Sequence, residues 1–163
     1  MTTMHSAARR RRAVAAAGAV SAGLLALSAC DAPSPVATVT VNTDTVHSEA
    51  SCWNDGKAIG SEELTSCLQD KDVPTLKVNQ DETVRFGVDQ EIADSRWVIL
   101  MNGRPLVEDS GRTYRTIPGS VFFSSQYGAQ GNSTVVAIQA LDEDDKAKTT
   151  GLWTFKLKRG DDA

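Results

Sequence analysis

Three thiols, at Cys30, Cys52 and Cys67, and two imidazoles, at His5 and His47, are the soft and nucleophilic groups of this 163-residue chain. A serine or cysteine nucleophile needs a base beside it, most often histidine. His47 is the one candidate in the body of the chain, and the alternation around it puts it on the solvent side of a strand. No Gly-x-Ser-x-Gly or Ser-x-x-Lys context accompanies it. A soft or borderline metal needs clustered His, Cys or Met, whereas His47 and Met101 are far apart and no Cys-x-x-Cys occurs. The run Asp142-Glu143-Asp144-Asp145 offers hard oxygens, but it lacks the spaced Asp/Asn and Gly pattern of a calcium loop and is followed by Lys146 and Lys148. It reads as a charged turn. Phosphate-cradling glycine runs are missing from the sequence as well. The residue types therefore predict no catalytic group, no cofactor and no metal.

Position gives Cys30 a different chemistry. Arg9, Arg10, Arg11 and Arg12 precede an uncharged stretch, 13–29, rich in Ala, Gly, Leu and Val. This is the order of a secretory signal, and it is too short and too Ala-rich for a membrane span, which takes roughly 20 strongly apolar residues. The run Leu27-Ser28-Ala29-Cys30 resembles the lipobox of bacterial lipoproteins. That resemblance implies cleavage before Cys30 and a thioether-linked diacylglycerol on its sulfur. At about 0.8 kcal/mol per buried CH₂, two acyl chains give stable anchoring where one does not. Arg11-Arg12-Ala13-Val14 is also compatible with twin-arginine export. The expected organisation is a signal over 1–29, a Pro-containing extended tether over 30–35, and one domain over 36–160. The expected location is the outer face of the cell membrane, with the bilayer held through Cys30.

Removing 29 of the 163 residues leaves 134, a single-domain length. The formal charge of −4 loses four arginines with the signal and falls to −8. Such a surface repels phosphate backbones and anionic head groups, which argues against a nucleic-acid partner or a basic membrane-binding face.

With Cys30 assigned to lipid, Cys52 and Cys67 remain as a pair. In an exported protein the default is a disulfide, worth roughly 3 kcal/mol for a loop of this size on the chain-entropy model.

Period-two alternation recurs at Val39 and Val41, at Leu76 and Val78, at Val84, Phe86 and Val88, and at Trp153, Phe155 and Leu157. Segments 97–101 and 135–141 are apolar on both faces and read as central strands. Asn102-Gly103 predicts a type I′ hairpin turn, with Pro105 limiting the return strand to a short or edge one. Val46, Ala50 and Cys52 are expected on one face of a strand, with His47, Glu49 and Trp53 on the other. Ser61 is expected to cap a helical turn carrying Cys67, and 118–128 to form a short helix closed by Gly128. The pattern predicts an all-β fold: an antiparallel, immunoglobulin-like β-sandwich of about seven or eight strands with one or two short helical turns. The close spacing of Cys52 and Cys67 sets it apart from a true immunoglobulin domain, whose disulfide joins strands distant in sequence.

Aromatic residues outside this core, Trp53, Tyr114 and Tyr127, beside Arg112 and Arg115, are the candidate binding surface. The chain also resembles an uncharacterised family of short actinobacterial lipoproteins, a domain of unknown function. The resemblance rests on the lipobox, on Ala37-Thr38-Val39-Thr40-Val41, on Cys52 with Asn54-Asp55-Gly56-Lys57, on Gly87-Val88-Asp89 with Glu91-Ile92-Ala93-Asp94, and on Gly151-Leu152-Trp153-Thr154-Phe155. It implies the same address and fold, and no activity. The functional expectation is a non-enzymatic, membrane-tethered module that binds an envelope protein or ligand. Two alternatives stand beside it. One is a protease inhibitor resembling chagasin, carried by Glu82-Thr83-Val84-Arg85-Phe86, an irregular loop over 90–95 and Trp97. The other is a small carboxylate-dependent hydrolase, for which acids are plentiful.

Overall fold

In the computed structural model, residues 33–69 and 72–160 are described, so the expected lipidation site, Cys30, and the expected signal, 1–29, lie outside the described residues. Among them are ten strands: β1 (Ala37–Val41), β2 (Asp44–Ser48), β3 (Cys52–Trp53), β4 (Thr75–Val78), β5 (Thr83–Val88), β6 (Trp97–Met101), β7 (Arg104–Pro105), β8 (Tyr114–Pro118), β9 (Ser133–Leu141) and β10 (Thr149–Arg159). Eight of these have four or more residues; β3 and β7 have two each. Two short α-helices, α1 (Ser61–Leu68) and α2 (Gln90–Asp94), and two 3₁₀ turns, η1 (Gly119–Phe123) and η2 (Ser125–Tyr127), complete the set.

The fold is an all-β sandwich. One sheet has the order β2-β1-β5-β8; the other runs β3-β10-β9-β6-β7, with β4 also pairing to β10. Every pairing is antiparallel except β4 with β10. The orders β1-β5-β8 and β10-β9-β6 reproduce the A-B-E and G-F-C arrangement of immunoglobulin-like sandwiches. Alternation fixes which faces meet. Val39, Val84, Phe86 and Ile117 of the first sheet pack on Trp97, Ile99, Ile138, Trp153 and Phe155 of the second. Phe122 of η1 closes one end of that core against Phe86, with ring centroids 5.8 Å apart.

The central strands β6 and, from Val136 onward, β9 are largely buried on both faces, as their sequences predict, because α1 lies over the outer face of the second sheet; Val135 is the exception, exposed near the start of β9. Val98, Leu100, Ala137, Leu141 and Leu152 form a second apolar cluster, partly covered by Leu64 and Leu68 of that helix. The Cys52–Cys67 disulfide, with Cα atoms 6.0 Å apart, ties α1 to β3.

Local chemistry is legible at the turns. Asn102 and Gly103 both have positive φ, 49° and 77°, as a type I′ turn requires, and β7 is an exposed two-residue edge ending at Pro105. Gly128 closes η2 with φ 82°. Three expectations change. Ser61 is the first helical residue and makes no cap; Gly60 occupies that position with extended φ and ψ. The segment 46–53 is two strands in different sheets, because the chain crosses between layers at Glu49, Ala50 and Ser51, where Ser51 N–H bonds the Leu152 carbonyl. The connection 90–95 is helical instead of irregular over most of its length, with Ile92 and Ala93 buried beneath it.

Candidate functional site

Strand registers divide the loops between two ends of the sandwich. At one end lie Ala37, Ser48, Val88, Trp97, Ala140 and Gly151, matched in register across each sheet. At the other lie Val41, Val78, Val84, Met101, Ser133 and Lys158.

The described residues of the expected tether, 33–35, join the first end, the tether end. The Val36 N–H donates to Asp89 Oδ2 at 2.8 Å, and Asp89 N–H returns a bond to the Val36 carbonyl. Pro35 is buried, and its carbonyl accepts the Trp153 indole N–H at 2.7 Å. A buried indole needs such a partner. Ser34 Oγ accepts the Ala50 N–H at 3.4 Å. The compact unit therefore begins at Ser34, slightly before the expected boundary at 36.

This tether end is dense in charge. Asp109 receives both Arg96, through the guanidinium Nε, and Lys146, at 3.2 Å. These partners, Arg96 first, hold the Asp109 carboxyl below its ordinary value. Arg96 itself sits at φ 61°, just past the end of α2, a conformation non-glycine residues adopt at a cost. One carboxylate thus joins the β5–β6 connection, the loop before β8 and the β9–β10 turn. In that last turn Asp142 Oδ1 accepts the N–H groups of Asp144 and Asp145, and Asp145 Oδ1 accepts that of Ala147. The Ala147 N–H, then Lys148 at 3.3 Å, lower the Asp145 carboxyl. These carboxylates are engaged in shaping their own turn.

The residues nominated from sequence separate. Arg112, Tyr114 and Arg115 stay together at the tether end, where the Arg112 carbonyl accepts the Trp97 indole N–H at 2.7 Å and Arg115 donates to the Glu108 carbonyl. Tyr114 is 58% exposed on the edge strand β8. Trp53 is half-buried at the opposite edge of the second sheet, stacked on Trp153. Tyr127, 53% exposed, is at the far end, where Asn102 Nδ2 donates to the Gly128 carbonyl at 3.2 Å.

The far end has a polar frame that the sequence did not reveal. Glu82 accepts the side-chain amides of Asn42 and Asn79 on Oε1, at 2.8 and 3.2 Å, and the Asn79 N–H on Oε2 at 2.7 Å. Its carbonyl accepts the Gly119 N–H. Gly119 has no room for a side chain, since a Cβ would meet the Asn79 and Glu82 carbonyls. Arg159 lies over the Phe123 ring at 5.1 Å. A recess of about 230 Å³ opens between Asn42, Asp44, Asn79 and Glu82 over Val41. A second, of about 360 Å³, lies beside the tether between His47, Glu49, Ser51 and Pro74. Among the described residues no three His, Cys, Asp or Glu side chains gather as a metal site, and no helix is long and apolar enough to cross a membrane.

Comparison with protein-family models, with curated proteins and with solved structures finds no match in any of the three.

Proposed function

We propose that the chain is a lipid-anchored extracytoplasmic module, of the short actinobacterial lipoprotein kind, that acts by binding an envelope partner and not by catalysis. Cys30 is the lipid site in this reading. The observation that carries it is the fastening of Pro35. Its carbonyl is held by the buried Trp153 indole, so four residues, 31–34, separate it in sequence from Cys30. Five residue steps reach about 17 Å when fully extended. An anchor there keeps the sandwich close to the bilayer by its acidic end, with the opposite loops facing outward. The far-end loops are braced by side-chain bonds, which reduces the ordering cost of binding.

Membrane fractionation of the wild-type chain and Cys30→Ala tests the anchor: the variant is released in soluble form, and its retention without detergent would overturn the lipid assignment. Pull-down with the anchored form tests the role, and repeated failure to retain any envelope component counts against a binding module.

A further inference from the structure

The two ends of the sandwich differ in chemistry as well as in position. The tether end carries Asp89, Glu91, Asp94, Glu108, Asp109 and the acidic 142–145 turn against Arg96, Arg112, Arg115, Lys146 and Lys148, and is net acidic. The far end carries Asp44, Asp81 and Glu82 against Lys77, Arg104, Lys158 and Arg159. With its charges nearly balanced, the far end also collects amides. The chain has 11 Asn and Gln residues, and seven of them fall here by register and turn position. Asn42, Asn79 and Asn102 brace the loops through the bonds to Glu82 and Gly128. Gln80, Gln126, Gln130 and Asn132 are exposed.

Three of these four, Gln126, Gln130 and Asn132, lie within five residues of Tyr127 in the sequence. The 124–129 segment is closed on itself by the Ala129 N–H to the Ser124 carbonyl and is tied to the β6–β7 turn through Asn102. An amide offers a donor and an acceptor on one planar group, matching a hydroxyl, which is itself both. An aromatic ring beside such amides offers an apolar face. The near balance of charge supplies no field to draw an ion. The far end also points away from the tether.

We propose that the far-end loops bind an uncharged, hydroxyl-rich glycan of the cell envelope. Tyr127 stacks on a sugar ring, and Gln126, Gln130 and Asn132 bond its hydroxyls.

This names the partner class of the binding module above and does not depend on the lipid. The full chain in detergent micelles is passed over four uncharged polysaccharides: coupled mannan, cross-linked dextran, cellulose and chitin. The proposal expects retention on at least one, persisting in about 0.5 M salt, where exposed charge pairs are screened. Tyr127→Ala weakens retention about tenfold, the scale of one good aromatic contact. Tyr114→Ala, at the tether end, leaves it unchanged, and both tyrosines are exposed enough for the variants to fold. Absence of retention on all four, loss in salt, or equal loss in both variants overturns the proposal. Cys30→Ala run on the same columns separates the readings: it binds like wild type whether or not it has left the membrane.

Discussion

Trp53 and Trp153 meet with ring centroids 5.8 Å apart and planes inclined by 50°, and Gly151 lies beneath both. A Cβ at Gly151 would come within 2.6 Å of the Trp153 ring and 2.8 Å of the Trp53 ring. Trp153 is fully buried and already committed to Pro35, so it has nowhere to move. Gly151→Ala is expected to cost about 1–3 kcal/mol, the usual range for overpacking. Urea unfolding measures it, and an unchanged midpoint would show that the two rings yield.

Trp153→Phe keeps an aromatic ring in the core and deletes the donor to Pro35. The buried carbonyl loses its partner, at about 1–3 kcal/mol. The local sign is more telling than the global one. Protease sensitivity of the 33–36 segment rises in the variant, because its hold on the sandwich is reduced to the Val36–Asp89 and Ser34–Ala50 bonds. Equal cleavage of both proteins would rule out the indole as the clasp.

Cys67→Ser releases α1 from β3. The helix has no buried residue of its own, and the cysteines are 15 residues apart, a loop for which the chain-entropy model gives about 3 kcal/mol. Amide exchange over 61–68 quickens to near the unfolded rate, and a dye specific for apolar surface binds over Val98, Leu100 and Leu152. Protection persisting in α1 would mean that Leu64 and Leu68 suffice to hold it.

Asp109→Asn tests the charge junction. The carboxyl is held below its ordinary value of 3.8 in the fold. A lowered pKa stabilises the fold above the unfolded-state value, and that contribution is lost as pH falls through the lower, folded value. The wild-type midpoint therefore drops more steeply than the variant's as acid is added below about pH 4, and the two curves converge there. Asp145, also lowered, keeps its own share of the acid sensitivity in both. Parallel curves down to about pH 2 would remove Asp109 from the account.

Elements whose pattern is local were readable from the chain. β5 shows its inward Val84, Phe86 and Val88 at period two, and Asn102-Gly103 carries its turn type in residue identity, since both must accept positive φ. The sandwich class followed from the number and spacing of such strands, whereas their order is a matter of pairing. Features that depend on what the fold brings near were not readable. Val46 and Cys52 look like one strand because period two continues through Glu49, Ala50 and Ser51, yet the chain changes sheets there. Trp53 looked free because its partner, Trp153, is 100 residues away. Tyr114 and Tyr127 are close in sequence but leave at opposite ends, since β8 and η1 lie between them. The gathering of amides at one end is likewise a product of topology. The aromatic residues alone gave a binding patch that the register divides.

The pairing of β10 bears on how the chain is made. Thr149–Arg159 bonds to β3, β4 and β9, so the second sheet has no centre until residues near 150–159 have been synthesised. Before that, the inward faces of β1 and β5 have only β6 and β9 of the opposite layer to pack on, without Trp153, Phe155 and Leu157, and long-range pairings of this kind form slowly. The sandwich therefore closes late in synthesis: the side chains that complete its core, Trp153, Phe155 and Leu157, arrive only with β10, the last strand among the described residues.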